Sequence, residues 1–232
     1  MKPILQGATL FFCLWSASAL AETRFGLWPV KGNGPLELVR HDVRVRIEHP
    51  LAETVVTQEF KNPTGRSLEA FYYYPVPAGA TVSGLALWVN GVRREARMLE
   101  RQRAREIYQG IVDEKRDPAL VERLSGNLFR IRIFPVLPRR RQRVELRFVQ
   151  PVGETGPGRY AYRLAPPPGR PVEVLRLAVD LRAPGPLQQV ELSGLPAVLR
   201  PDEAGAYRLP LGAARHRFRA PLEIRYQLAQ RS

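Results

Sequence analysis

Apolar and polar residues alternate with a period of two along most of the chain. Val43, Val45 and Ile47 share one face of such a run, and Arg44 and Arg46 lie on the other. This alternation is typical of strands with one buried face. Similar runs, separated by Pro- and Gly-containing turns, recur at a spacing of roughly ten residues, which favours a β-sandwich or barrel. We therefore predict an all-β fold.

The same pattern predicts the side chains that face the core of the later strands. These are Phe129, Ile131, Ile133, Val144, Leu146 and Phe148. In an earlier run, Val56, Gln58 and Phe60 alternate with Val55, Thr57 and Glu59, and either set could face the core. Two hairpins are expected, at Asn90-Gly91 and at Ser125-Gly126-Asn127, because both are turn sequences between strand-like runs.

A single segment changes period. Within residues 99–114, the apolar positions follow the spacing i, i+3, i+4, i+7 and i+8, which is the stripe of an amphipathic helix. They are Ala104, Ile107, Tyr108, Ile111 and Val112. Asp117-Pro118 would end this helix, because proline cannot continue it. We predict that it covers an open end or face of the sandwich, with Tyr108 as a core side chain rather than a catalytic phenol.

The first 21 residues have the features of a secretory signal peptide. Lys2 supplies the positive start, Ile4 to Trp15 is mostly apolar, and Ala19-Leu20-Ala21 fits a small-residue cleavage site. Cleavage near Ala21 predicts an exported protein, periplasmic or secreted. The alternative is an uncleaved anchor formed by residues 4–21, since about 18 residues is the short limit for a membrane span. In that case this segment would be the only membrane contact.

Basic residues dominate the charge. Lys and Arg number 36 against 22 Asp and Glu, giving a net charge of +14, and all but four of the 36 are arginine. Arginine is suited to planar, bidentate contacts with acidic groups. A GC-rich genome would give the same bias, so the composition alone does not identify a partner.

The strand alternation places several arginines on outward faces, and a loop adds three more. The candidate surface consists of Arg44, Arg46, Arg130, Arg132, Arg139, Arg140, Arg141, Arg143 and Arg147. If these strands lie in one sheet, the face would attract an acidic polysaccharide or lipid head groups, and the attraction would weaken as salt rises. The alternative is a solvated face balanced by acids. Those acids are Glu48, Glu59, Glu69 and Glu145.

Catalytic and metal-binding patterns are absent from the sequence. His41, His49 and His216 lack zinc-ligand spacing, and no serine lies in a G-x-S-x-G motif. We expect these histidines to be surface or structural residues. Cys13 is the only cysteine and would leave with the signal peptide. No nucleic-acid reader motif is present, and export argues against a nucleic-acid partner.

Adjacent acids at Asp113, Glu114 and Asp117 leave one enzymatic alternative open. A paired-carboxylate hydrolase depends on the separation of its carboxylates, which the sequence does not give. A solvated helix end explains the same residues. We therefore predict a protein that is not an enzyme, with no cofactor and no metal.

An ordered line of motifs between residues 105 and 150 resembles a known family. The line is Arg105-Glu106-Ile107-Tyr108, Asp117-Pro118-Ala119-Leu120-Val121-Glu122, Asn127-Leu128-Phe129-Arg130, Ile133-Phe134-Pro135-Val136 and Arg143-Val144. Together with the upstream segments Val55–Asn62, Phe71–Pro77 and Val89-Asn90-Gly91, it is similar to the VIT (vault protein inter-alpha-trypsin) domain, in its bacterial form. The resemblance covers residues 35–152, after an irregular segment over 22–34. Residues 153–232 are similar to the β-rich extension that follows this domain.

The resemblance implies a β-sandwich that acts as a non-catalytic interaction module, like that of inter-alpha-trypsin inhibitor heavy chains. Such domains usually precede a von Willebrand A domain, yet the Asp-x-Ser-x-Ser motif of that neighbour is missing here. The chain could therefore be a stand-alone module, a fragment or half of a split pair. We expect an exported scaffold of the cell envelope that binds a protein, and an A-type domain in trans is one candidate.

Overall fold

The computed structural model describes residues 24–89, 91–95, 120–123, 128–169 and 171–229. Within these residues the chain is all-β, with sixteen strands in three sheets and no helix. The fold class predicted from the alternation is thus confirmed. The predicted helix over residues 99–114, with Tyr108, lies outside the described residues, as do the signal segment and the Ser125-Gly126-Asn127 turn.

The largest sheet has eight strands, in the order β14-β15-β12-β2-β3-β9-β5-β6. Along the chain these are β2 (Glu37–Glu48), β3 (Leu51–Lys61), β5 (Thr81–Val89), β6 (Val92–Glu95), β9 (Arg141–Pro151), β12 (Val172–Arg182), β14 (Arg200–Pro201) and β15 (Tyr207–His216). All neighbours are antiparallel except β2 and β12, which run parallel. We call this the central sheet.

Two four-stranded sheets complete the sandwich. The first small sheet has the order β1-β4-β8-β7, and the second has the order β10-β11-β16-β13. Their strands are β1 (Gly26–Pro29), β4 (Leu68–Pro75), β7 (Leu120–Arg123), β8 (Leu128–Val136), β10 (Gly153–Gly156), β11 (Arg159–Leu164), β13 (Leu187–Ser193) and β16 (Leu222–Leu228).

Strand β3 shows how both small sheets cover one face of the central sheet. Near its start, the Thr54 hydroxyl lies 2.8 Å from the Tyr162 hydroxyl of the second small sheet. Near its end, Gln58 accepts a 2.7 Å hydrogen bond from Tyr72 of the first small sheet. Residues from all three sheets form one continuous apolar core. The face opposite this core therefore points to solvent, and we call it the outer face.

Strand alternation is confirmed where the sequence predicts it. All six side chains predicted to face the core beyond the first run are buried, as are Val43, Val45 and Ile47. In β3 the structure buries the set Val56, Gln58 and Phe60. β5 and β6 form the hairpin expected at Asn90-Gly91, with Val89 opposite Val92. Segment 22–34 was expected to be irregular, but its Gly26–Pro29 part pairs with β4 and buries Leu27. In so short a strand, the Trp and Pro residues obscure the alternation of polar and apolar positions that would predict it.

The C-terminal extension is joined to the rest of the chain. β12 pairs with β2 over nine register positions, from Val174 opposite Arg40 to Arg182 opposite Glu48. Tyr162, Ile224 and Tyr226 from this half lie in the shared core. Residues 153–232 therefore pack against the VIT-like part instead of moving independently.

Candidate functional site

The outer face of the central sheet carries most of the predicted arginine surface. Arg44 and Arg147 both lie opposite Val55 in the register of β2, β3 and β9, so their side chains share one face. Arg46, Arg141 and Arg143 follow the same alternation. Arg139 and Arg140 lie at the end of this face, in the turn between β8 and β9.

Arg130 and Arg132 do not belong to this surface. Their strand, β8, pairs with β4 and β7 in the first small sheet, and the next strand, β9, belongs to the central sheet. The expectation of a single nine-arginine face is therefore wrong, because the chain crosses between sheets at the β8–β9 turn. The guanidinium groups of Arg130 and Arg132 lie 4.9 and 6.0 Å from the ring centroid of Phe71.

Acidic residues form ion pairs with many of the arginines on both sheets. Glu48 pairs with Arg46 at 2.9 Å, Glu145 with Arg93 at 2.8 Å, and Glu69 with Arg132. These acids are three of the four that the sequence analysis named as balancing charges. The fourth, Glu59, pairs with two arginines, as described next. The balanced, solvated face is therefore the description that fits most of this surface.

Glu59 departs from strand alternation, because it is buried although it lies on the outer face. Its carboxylate pairs with Arg143 and lies 3.7 Å from Arg141. The Arg143 guanidinium in turn lies 5.0 Å from the centre of the Trp88 ring, within the range of a cation–π contact. Two arginines therefore surround one carboxylate at this end of the sheet, and Trp88 packs against one of them.

The sequence analysis missed Trp88 and Arg93. The two residues face each other across the β5–β6 hairpin, with the Arg93 guanidinium 5.9 Å from the ring centre. Hydrogen bonds to Glu145 and Glu95 raise the pKa of Arg93. The Asn90-Gly91 turn contained the needed signal, since a two-residue turn places the residues two positions outside it opposite each other.

A groove lies between the β5–β6 hairpin and the β8–β9 turn. Its volume is about 1080 Å³, and Trp88, Leu137, Arg139, Arg140 and Arg143 are among its lining residues. Arg139 and Arg140 are exposed and form no ion pair within the described part of the chain. We call this feature the turn groove. The charge of these two arginines is therefore not balanced by a described acid.

A second depression lies further along the outer face. It has a volume of about 580 Å³, and Ala178, Pro210, Arg44 and Arg208 are among its lining residues. Arg208 pairs with Asp202 at 3.1 Å, whereas Arg44 is exposed and has no ion pair among the described residues. Glu53 and Asp180 also line this depression, so it is less basic than the turn groove.

The histidines have structural surroundings. His41 is buried beside Gln58, and burial lowers its pKa to about 3. The His49 Nδ1 lies 2.9 Å from the Tyr226 hydroxyl, and desolvation lowers the pKa of His49. His216 contacts the Phe218 ring edge-on. No group of three or more potential metal ligands occurs among the described residues.

Other candidate residues cannot be placed. Asp113, Glu114 and Asp117, the acids of the hydrolase alternative, lie outside the described residues.

Within the described ranges, no helix has the length and apolar character needed to cross a membrane.

Comparison with known sequences identifies residues 38–148, about half of this chain. The pattern of the Vault protein inter-alpha-trypsin domain matches residues 38–148, which run from β2 through most of β9. Residues 38–148 belong to the VIT domain family. The resemblance noted from the motif line is thereby confirmed, and VIT membership indicates a protein-interaction module.

Two curated relatives are much longer than this chain. Human protein mono-ADP-ribosyltransferase PARP4 is 24% identical over 134 residues, covering 57% of this chain and 8% of that protein. The mouse protein of the same name is 23% identical over 124 residues, covering 53% of this chain and 6% of that protein. The VIT-containing part therefore matches a small portion of each relative.

Solved structures with a similar arrangement are distant in sequence. A proposed nutrient-binding protein of Legionella pneumophila is 13% identical, with a TM-score of 0.49, covering 87% of this chain and 69% of that one. An M1 zinc metallopeptidase of Deinococcus radiodurans is 14% identical, with a TM-score of 0.43, covering 88% of this chain and 42% of that one.

Proposed function

We propose that this chain is a non-catalytic, VIT-type protein-interaction module that is exported to the cell envelope or secreted. The observation that carries the proposal is the match of the VIT pattern to residues 38–148. Six of the eight strands β2 to β9, which lie in this part of the chain, have a buried inner face. β12 extends the central sheet by pairing with β2. The result is a broad scaffold with an exposed outer face.

His41 and His49 are engaged in structural contacts, which supports a binding role over a catalytic one. His41 is bonded to Gln58 inside the core, and His49 is bonded to Tyr226. A general base must reach the proton that it abstracts. His41 instead links neighbouring strands of the central sheet, and His49 contacts Tyr226 of the second small sheet.

Export is supported by the sequence of residues 1–21, with its positive start, apolar stretch and Ala19-Leu20-Ala21 site. The test is to express the full chain with a C-terminal tag in cells that naturally make it, and to sequence the N-terminus of the product. We expect a mature protein that begins at Glu22 in the envelope or medium. A cytoplasmic product that keeps Met1 would contradict export.

The interaction role is tested by cross-linking the tagged full-length protein in intact cells and identifying attached proteins by mass spectrometry. We expect one protein to be recovered repeatedly at defined positions of the outer face or of the edge strands. A purified A-type domain from the same genome is the first candidate for titration against the chain. Recovery of no reproducible partner would count against the proposal.

A second candidate, an arginine face for acidic glycans or lipid head groups, loses its original basis. Two of its nine residues, Arg130 and Arg132, lie on another sheet, and acids neutralise several of the rest. Of the seven that remain, Arg139 and Arg140 in the turn groove and Arg44 have no ion pair among the described residues.

A further inference from the structure

We propose that the turn groove binds an acidic segment of a protein partner. This inference rests on the proposed interaction function and names the site and the chemistry of the partner. The groove has a volume of about 1080 Å³, and its charged lining consists of four arginines and one glutamate. The local excess of positive charge favours a ligand with several carboxylates.

The two arginine pairs in the groove differ in what already holds them. Arg141 and Arg143 are tied to Glu59, so their positions are fixed and part of their charge is compensated. Arg139 and Arg140 are exposed and have no acidic partner within the described ranges. An incoming carboxylate would therefore find two uncompensated guanidinium groups beside two that are already ordered. Arginine suits this task because its planar fork can bind a carboxylate with two hydrogen bonds.

The turn that carries Arg139 and Arg140 is held by the buried side chain of Asn62. The Asn62 Nδ2 donates to the carbonyl oxygens of Arg66, Val136 and Leu137, each at 3.0 Å. The backbone N–H of Asn62 also donates to the Arg140 carbonyl at 3.0 Å. These hydrogen bonds hold the turn in place before a ligand binds. Binding therefore costs less conformational entropy of the protein than it would at a flexible turn.

Arg139 has an unusual backbone conformation for its residue type. Its φ of 56° lies in the left-handed region, where glycine or asparagine is favoured. Residues held in this region cluster at binding sites, where the surrounding structure maintains them. An arginine at this position directs a positive charge to the mouth of the groove although a glycine would suit the turn better.

The rest of the lining explains why a peptide is favoured over a membrane or a polysaccharide. Val89, Pro135 and Leu137 provide apolar surface next to the Trp88 ring. Apolar side chains of a peptide would gain from this contact, whereas sugar hydroxyls would lose hydrogen bonds to water there. A bilayer surface is too flat to enter a concave site. An acidic segment with interspersed apolar residues fits both halves of the lining.

The test compares two substitutions with the same chemistry. Arg139→Gly removes one charge and relieves a positive φ, and Arg215→Gly does the same at a residue whose φ is 50°. Arg215 is exposed on β15, near the opposite edge of the central sheet from the groove. The probe is a fluorescently labelled oligopeptide of alternating Glu and Leu, titrated into the full-length protein and followed by anisotropy.

We expect the parent protein to bind this peptide, with affinity falling as salt rises from about 0.01 to 0.15 M. Arg139→Gly should raise Kd about fivefold, and Arg139→Gly with Arg140→Ser more than either change alone. Arg215→Gly should leave Kd unchanged. Thermal unfolding of both glycine variants should occur at or above the parent temperature, which excludes misfolding as the cause of weaker binding.

Three results would overturn the proposal. The first is equal binding by the parent and Arg139→Gly, and the second is equal weakening by Arg215→Gly, which would show a response to net charge alone. The third is Arg139-dependent binding of heparin, or of vesicles containing phosphatidylglycerol, with no binding of the peptide. That result would assign the groove to a glycan or a membrane.

The same variants separate this inference from the proposed function. If cells that make Arg139→Gly still yield the cross-linked partner at the parent level, the interaction role stands and the groove assignment fails. If no partner is recovered from either protein while Arg139→Gly still weakens the peptide complex, the groove assignment stands and the interaction role loses its support.

Discussion

The side-chain amide of Gln58 donates a hydrogen bond to the Nδ1 atom of His41, 3.1 Å away inside the core. The Gln58 Oε1 accepts a 2.7 Å hydrogen bond from the Tyr72 hydroxyl, so its amide orientation is fixed. Because Nδ1 accepts, the imidazole is neutral with its proton on Nε2. This three-residue chain crosses from the central sheet to the first small sheet and determines how the sandwich responds to acid and to mutation.

Acid should destabilise the protein through His41. Burial lowers the pKa of this imidazole in the folded state from 6.5 to about 3, whereas the unfolded chain takes up a proton below pH 6.5. The free energy of unfolding therefore falls as the pH drops below 6.5, by about 1.4 kcal/mol per pH unit. Urea unfolding at pH 7 and pH 5 measures this loss.

His49 changes the acid response in the same direction, since desolvation also lowers its pKa. The control is therefore His41→Asn, which should flatten the pH dependence without abolishing it. A variant that keeps the full slope would show that other groups cause the acid sensitivity.

Replacement of Gln58 by leucine should destabilise the fold by about 2–4 kcal/mol, because it leaves the His41 Nδ1 and the Tyr72 hydroxyl without partners inside the core. Tyr72→Phe alone should cost about 1 kcal/mol. In a double-mutant cycle measured by urea unfolding, Tyr72→Phe should cost less in the Gln58→Leu background than in the parent. Strict additivity would mean that the two side chains act independently.

Asn62→Asp should destabilise the β8–β9 turn, because a carboxylate cannot donate to the three carbonyl oxygens that Asn62 now satisfies. We expect a loss of about 3 kcal/mol in the free energy of unfolding. The matched control is Asn33→Asp, the same change at an exposed residue, which should stay within about 0.5 kcal/mol of the parent. Similar losses for both variants would contradict the structural role of Asn62.

Removal of residues 153–232 should prevent cooperative folding of the remainder. β2 would lose its parallel partner β12, and Thr54 would lose the hydroxyl of Tyr162. We expect a broad thermal transition and binding of the dye ANS, which reports exposed apolar surface. Adding residues 153–232 as a separate chain should restore a sharp transition. A truncated chain that unfolds as sharply as the parent would show that the VIT part is independent.

The sequence predicts local features well, because alternation depends on neighbours along the chain. Val144, Leu146 and Phe148 are buried as expected, since each strand keeps one face toward the core whatever its partners are. The pairing partners of each strand, in contrast, do not follow from the alternation. The placement of Arg130 depends on whether β8 pairs with β4 or joins the central sheet, and that choice is made by packing between distant segments.

The candidate site likewise combines features that the sequence predicts with features that depend on contacts between strands. The positions of Arg143 and Arg147 on one face follow from the pattern, but the burial of Glu59 beneath Arg143 does not. Arg141, expected in the loop, is the first residue of β9. Glu59 is covered by Arg143 and Arg141 from the neighbouring strand β9, and Arg143 in turn contacts Trp88 of β5, so contacts between strands override the expected exposure. The left-handed φ of Arg139 is equally hidden, because its residue type favours other conformations.

The parallel pairing of β2 with β12 joins segments that lie far apart in the sequence. During synthesis, the edge of β2 emerges from the ribosome long before its partner does. An unpaired edge can recruit the wrong strand, and pairing over such a separation slows folding. Delivery to the place of action in a chaperone-protected, unfolded form would keep this edge from aggregating until the whole polypeptide is available.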